Sequence, residues 1–236
     1  MAAPPVSSWV LHGRSLWDYF NGDTGAVITI HSDLGEHDEE PVAGWFRTPG
    51  TSWAPEQTAL ELCRGRVLDV GAGTGLHSLV LQERGLSVCA IDFVPEAVEI
   101  MRRRGVNDVR RADIWEFEGG PFDTVLMFAN GAGICETLVG LDRFLQWAPR
   151  LLTPGGQILM DSTDVRGQAG RTWREDGRYI GEIEFQLEYR GEMGAPFLQL
   201  YVDAETLTDH VRSAGWSVDI VARERSSYLA RLRCLT

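Results

Sequence analysis

Val67-Leu68-Asp69-Val70-Gly71-Ala72-Gly73-Thr74-Gly75 joins an apolar run to three glycines at alternate positions. Such a run predicts a buried strand that empties into a tight turn, and the pattern through about Arg84 predicts a helix behind it. Glycine suits the turn because the backbone there takes φ angles unfavourable to other residues and can approach a ligand closely. The helix start offers unpaired N–H groups to an anionic or polar group. A dinucleotide fingerprint, GxGxxG, would place its third glycine at 76. That position is Leu76, and the third glycine stands one residue early.

Outward from this turn, short apolar runs alternate with amphipathic helices. Pro55–Cys63 predicts a helix and Arg66–Val70 a strand. Ser87–Ile91 predicts a second strand and Pro95–Arg104 a second helix, with Pro95 suited to a first turn. Asp108–Arg111 and Thr124–Phe128 are further strands. Asp142–Leu152 is a helix stopped at Pro154-Gly155-Gly156, and Gln157–Asp161 is a fifth strand. The alternation predicts an α/β, doubly wound, mostly parallel seven-stranded sheet with helices on both faces. Right-handed crossovers place the strand C-termini on one edge, where ligands bind near the switch in strand order.

The two ends of the chain read differently. Tyr179–Arg190 and Phe197–Val202 alternate apolar with polar residues and predict a late antiparallel hairpin or lid. Ala204–Ala214 is a helix stopped by Gly215, and Trp216–Ala222 with Ser227–Cys234 complete the sheet, one of them antiparallel. Residues 1–55 read as an N-terminal cap on a domain spanning 56–236. They hold four of the eight tryptophans, so they must pack on something. Within the cap, Met1–Trp9 reads as a frayed terminus, Ser15–Phe20 as a short helix, Val27–Ile30 as β and Asp33–Glu40 as an acidic loop.

Composition narrows the function. The 236 residues carry a net charge of -12, which argues against a broad phosphate-binding surface and so against nucleic acid. All 22 basic residues are arginine, which removes a lysine Schiff base or a P-loop lysine. Arg102-Arg103-Arg104 reads as the solvated end of a helix. No apolar run approaches the roughly 20 residues that cross a bilayer, and a cytoplasmic location is expected. Cys63, Cys89, Cys135 and Cys234 form no CxxC pair and read as free thiols, and no metal site is expected.

Asp-Val-Gly-Ala-Gly-Thr-Gly at 69–75 resembles motif I of the class I S-adenosylmethionine (SAM)-dependent methyltransferases, and the likeness extends as a topology over nearly all of residues 56–236. The resemblance implies that SAM is the cofactor and S-adenosylhomocysteine (SAH) the product. It places Gly71, Ala72, Gly73 and Gly75 against the methionine part of SAM. Asp92 would bind both ribose hydroxyls, since a carboxylate accepts two hydrogen bonds from a vicinal diol. Phe93 would pack on adenine, and Asp113 with Ile114 would form the adenine site. Asn130, after the fourth strand, would border the transferred methyl and the acceptor. His77 would lie near the cofactor or merely pack. Trp17-Asp18-Tyr19-Phe20 resembles N-terminal aromatic segments that close over SAM, which brings Tyr19 to the cofactor.

Methyl transfer is an in-line displacement for which positioning supplies much of the catalysis, and some acceptors also need a general base. His31 and Glu136 are the candidates for that base. The exit of the fourth strand is not of the Asn-Pro-Pro-Tyr type associated with methylation of bases, so a small-molecule acceptor is expected. Left open are a protein acceptor, a catalytically silent SAM-binding regulatory protein, and a monomer or homodimer. An NAD-dependent oxidoreductase is disfavoured by Leu76.

Overall fold

The computed structural model describes residues 6–35, 37–48, 53–167 and 172–235. Its first elements are β1 (Val6–Ser7), α1 (Ser8–Phe20), β2 (Val27–Ser32) and β3 (His37–Pro41). Then follow α2 (Ala54–Leu62), β4 (Arg66–Val70), α3 (Leu76–Glu83), β5 (Ser87–Asp92), α4 (Pro95–Arg104) and β6 (Asp108–Arg111). Next are β7 (Phe122–Met127), α5 (Leu138–Trp147) and β8 (Leu152–Thr163). The last part holds β9 (Glu182–Tyr189), β10 (Glu192–Ala195), β11 (Phe197–Leu200), α6 (Ala204–Ser213), β12 (Trp216–Glu224) and β13 (Ser227–Cys234).

The main sheet has the order β12-β13-β8-β7-β4-β5-β6, with β13 antiparallel to both its neighbours. The order reverses between β4 and β7, because β5 and β6 extend one way and β8 the other. That switch point opens at the glycine turn. The inner strands are apolar on both faces because helices cover both. Leu68, Val125, Met127, Ile158 and Met160 are buried with Leu141, Phe144 and Leu145 of α5, while Val67, Leu126 and Leu159 are buried with Ala59 and Leu60 of α2. Helix α4 buries Ala97, Val98, Ile100 and Met101 and ends at Gly105, whose φ of 93° turns the chain out of the helix.

The N-terminal segment and the late hairpin pair with each other in a second sheet of order β1-β10-β9-β2-β3, with β11 also beside β9. One face of this sheet carries Ile28, Ile30, Leu187 and Phe185, as the register of β2 with β9 requires. Helix α1 fills the space between that face and α4, and Leu11 and Leu16 pack with Tyr189, Val94, Ala97 and Ile100. Gly13 permits the approach, since a Cβ there would stand 2.8 Å from Val94 Cγ1.

Three local expectations change. The helix expected over Ser15–Phe20 begins at Ser8, so Ser8 and Trp9 are ordered in α1 rather than frayed; residues 1–5 lie outside the described residues. Half of the acidic stretch 33–40 is strand β3, because β2 offers it a pairing edge; Glu36 lies outside the described residues. The arginine run is not simply solvated. Arg104 donates to the Thr74 carbonyl and hydroxyl at 2.7 and 2.8 Å, and Arg103 pairs with Glu99 and covers Trp17.

Candidate active site

Strand β4 delivers its chain into Gly71, Gly73 and Gly75, all with positive φ (64°, 57° and 78°). The two outer ends of this turn are tied by backbone: Ala72 N–H donates to the Ile91 carbonyl at 3.0 Å and Gly75 N–H to the Ala72 carbonyl at 2.8 Å. Gly73 differs from Gly75. A Cβ on Gly75 would press on Val106 and Met101, whereas a Cβ on Gly73 would meet nothing within 4 Å. Gly73 therefore fronts open space at the strand ends. Beneath the turn, the buried Asp69 accepts the Ser78 hydroxyl at 2.5 Å and its backbone N–H, which fixes the first turn of α3. Burial holds the Asp69 carboxyl above the usual range.

Asp92, at the end of β5, is buried and joins the turn directly. Its carboxylate accepts Gly73 N–H at 2.9 Å and Val94 N–H at 2.8 Å. Burial raises its pKa, and the backbone donors pull it back. Each oxygen keeps a lone pair for a further donor. Phe93 beside it is exposed, with Trp9 of α1 edge-on at 5.4 Å. Asp113, after β6, spends one oxygen on Trp115 N–H at 3.0 Å and is otherwise exposed, and Ile114 is buried beneath it. The ends of β4, β5 and β6 thus bring Gly73, Asp92, Phe93, Asp113 and Ile114 to one edge.

On the other side of the switch point, Ala129 and Asn130 leave β7 with φ of 65° and 61°. The Asp161 carboxylate of β8 holds this turn by accepting the N–H groups of Asn130 and Gly131. The Asn130 amide turns toward Gln199 of β11, at 3.5 Å. A Cβ on Gly71 would lie 3.7 Å from Ile134, which brings the segment after β7 against the glycine turn. Helix α1 and the second sheet stand over these strand ends with Trp9, His12, Phe197, Phe185 and Tyr201. His12 lies between Trp9 and Trp45, with centroids at 6.0 and 5.2 Å. Burial pushes its pKa down to about 4, so the imidazole is neutral at pH 7.

His31 and Tyr19 sit elsewhere than supposed, while His77 packs, which is one of its two expected roles, and Glu136 follows β7 as expected. His31 pairs with Glu188 at 2.9 Å and stands opposite Gln186 in the register, so it is on the face of the second sheet that does not carry Phe185 and Leu187. A one-residue step along a strand reverses the face, and the alternation places Ile30 inward and His31 outward. Tyr19 stacks on Phe46 at 4.6 Å. It is ten residues beyond Trp9 on α1, or about 15 Å along the helix, so Trp9 rather than Tyr19 reaches Phe93. His77 is held by Glu56 Oε1 at 2.9 Å and lies edge-on to Phe128 at 5.1 Å. Glu136 lines a cleft of about 350 Å³ with Trp115, Ile134 and Arg143, at the start of α5.

Several residues of the site carried no signal in the sequence. Glu56 of α2 is buried, accepts both Arg47 guanidinium nitrogens at 2.6 and 2.9 Å, and anchors His77. Trp9, His12, Asp161, Gln199 and Tyr201 come from segments far apart in the chain. The number of tryptophans before residue 55 was the only hint that this part covers something.

Residues 46–220 match a family model described as a methyltransferase domain. A SAM-dependent methyltransferase from Bacteroides fragilis, solved in complex with SAH, is 35% identical and superposes with a TM-score of 0.87 over 100% of this chain and 98% of that one. An uncharacterised methyltransferase of Mycobacterium tuberculosis is 30% identical over 206 residues, 81% of this chain and 82% of its own length. A demethylmenaquinone methyltransferase of Clavibacter sepedonicus is 37% identical over 164 residues, 64% of this chain and 65% of that protein.

Proposed function

This chain belongs to the SAM-dependent methyltransferases, and on that premise we propose that it moves the methyl group of SAM to a small-molecule acceptor and releases SAH. The observation that carries this reading is the bond from Gly73 N–H to the Asp92 carboxylate, which sets a diol-binding acid beside the open face of the glycine turn. Asp92 would hold the ribose hydroxyls with its remaining lone pairs. Phe93 and Ile114 would bracket adenine, and Asp113 would accept from its amine. Gly71, Ala72, Gly73 and Gly75 would line the methionine part, with His77 and Glu56 steadying the helix start beneath it.

SAM supplies an activated methyl group. The chain's own part is to hold the acceptor in line with it and exclude water, which is where much of the rate arises. Asn130 and Gln199 border that position from β7 and β11. Helix α1 and the second sheet form a cover that suits a small acceptor better than a protein segment. The demethylmenaquinone methyltransferase of Clavibacter sepedonicus also acts on a small molecule. With His31 on the outer face, we assign it no part in proton transfer, and Glu136, in a cleft with Trp115 and Arg143, stays the candidate base.

Calorimetric titration with SAM, SAH and NAD tests the reading. Micromolar binding of SAM and SAH, and none of NAD, is expected. Binding of NAD alone overturns it.

A further inference from the structure

The exit of β7 and strand β11 meet through two side-chain amides. Val202 N–H donates to the buried Ser162 hydroxyl at 3.0 Å, and that hydroxyl donates to Asn130 Oδ1 at 3.5 Å. Asn130 Nδ2 then donates to Gln199 Oε1 at 3.5 Å. The relay starts at a backbone N–H, which can only donate, and each step hands a hydrogen onward. It ends at the Gln199 Nε2 group, which donates to no partner among the described residues. The segment after β7 closes on this pair: a Cβ on Gly133 would stand 2.7 Å from Asn130 Nδ2 and 3.4 Å from Gln199 Cδ. Both amides are half-buried, so the free N–H groups front the space at the strand ends.

Gln199 shares its strand face with Phe197, two residues before it, and the register sets Phe197 opposite Phe185 and Gln199 opposite Ile183. On that face the Phe197 ring lies 4.7 Å from Trp9 and 6.2 Å from Phe185 between centroids. Trp9 in turn meets Phe93, beside Asp92, at 5.4 Å. Trp9, Phe185 and Phe197 are half-buried and Phe93 is exposed, so this wall of rings is not closed off as core. Strand β9 turns Ile183, Phe185 and Leu187 the same way, and its side of the wall carries no charge.

A free amide N–H beside a wall of rings selects the acceptor atom and its setting. An oxygen has two lone pairs, so one can accept from Gln199 while the other attacks the methyl group. A neutral amine nitrogen has one pair, and a hydrogen bond to it occupies the pair that must attack. An ammonium offers only donors to a donor. Aromatic rings meet other rings stacked or edge-on, at a gain beyond apolar burial. We propose that the acceptor is an aromatic hydroxyl, a phenol, whose ring lies against Phe197 and Trp9 and whose oxygen accepts from Gln199 Nε2. This rests on the methyltransferase reading. The hydroxyl O–H bond breaks, its proton reaching water directly or by way of Glu136. The freed oxygen pair bonds the methyl carbon while the electrons of the carbon–sulfur bond leave on sulfur. The product is the aryl methyl ether.

The test is calorimetric titration of the SAH-loaded protein at neutral pH with phenol, aniline and cyclohexanol. Aniline replaces only the oxygen, and cyclohexanol only the aromatic ring. Phenol is expected to bind at least threefold more tightly than either. Gln199→Glu keeps the side-chain length and the acceptor for Asn130 but removes the free N–H groups. It should weaken phenol binding threefold or more with SAH affinity unchanged, and Phe197→Leu should narrow the gap between phenol and cyclohexanol. Aniline or cyclohexanol binding as tightly as phenol, no binding of phenol, or unchanged phenol affinity in Gln199→Glu overturns the proposal, while SAH binding still supports a methyltransferase. Failure to bind SAH overturns that reading, and the proposal with it.

Discussion

The Asp161 carboxylate accepts the backbone N–H of Asn130 at 3.0 Å, with the Gly131 N–H on its other oxygen at 2.8 Å. Ala129 and Asn130 are both left-handed, a conformation that costs a non-glycine residue about 1–2 kcal/mol. The end of β8 thus imposes the turn that leaves β7. The neighbouring strand, rather than local sequence, holds Asn130, the residue proposed to border the acceptor.

Burial pushes the Asp161 carboxyl up to about 6. A carboxyl raised on folding still binds its proton where the unfolded chain has released it. Its contribution to stability therefore falls as pH rises from about 4 to about 6, and is level above that. Asp161→Asn lacks this slope. Urea unfolding of both proteins from pH 4 to 7.5 should show their stability difference moving in the variant's favour by about 2–3 kcal/mol. A difference that stays level would show that Asp161 does not titrate as a buried acid.

Asp92→Ala removes the acid that joins β5 to the glycine turn. SAH affinity by calorimetry should drop tenfold or more, on a value of roughly 1.5–3 kcal/mol for a hydrogen bond to a charged group. Unchanged affinity would remove Asp92 from the ribose site.

Gly73 and Gly75 separate space for ligand from space for packing. Gly73→Val places its side chain in the open region and should no longer bind SAH, at a stability cost of about 1–2 kcal/mol for a non-glycine residue at φ 57°. Gly75→Ala drives a methyl into Val106 and Met101 and should chiefly lower the melting temperature. Normal SAH binding by Gly73→Val would refute the close approach.

His31→Ala should leave SAH affinity and methyl transfer unchanged and cost at most about 1 kcal/mol, because its pair with Glu188 is partly exposed. Trp9→Ala should weaken SAH binding by opening the cover over Phe93. A loss of turnover in His31→Ala alone would restore His31 as a base.

Glu56→Gln breaks the bidentate pair with Arg47 and the bond to His77 inside a buried site. Unfolding by urea should show a loss of about 2–3 kcal/mol. A loss below 0.5 kcal/mol would mean that the network contributes little to holding α2 against α3.

The parallel elements were legible because each announces itself locally. Arg66–Val70, Pro95–Arg104 and Asp108–Arg111 coincide with β4, α4 and β6 to the residue. Periodicity, Pro95 and Gly105 set such boundaries without help from distant contacts. The seven strands with one antiparallel member followed from the same signals. The second sheet was not legible. Its strands are short, and β3 is entirely exposed and acidic, so that only pairing with β2 makes it a strand.

The sequence by itself determined the glycine turn, the acids Asp92 and Asp113 that end successive strands, and hence the family. Each is fixed by residues within one βα unit, and a parallel sheet brings strand ends to one edge whatever surrounds them. Only the tertiary structure decided what faces that edge. The phase of β2 put His31 outside, the length of α1 put Trp9 and not Tyr19 over Phe93, and the hairpin carried Gln199 to Asn130. Those placements depend on which face of a strand or helix finds an apolar partner, and that is set by packing between segments up to about 190 residues apart, as between Trp9 and Phe197.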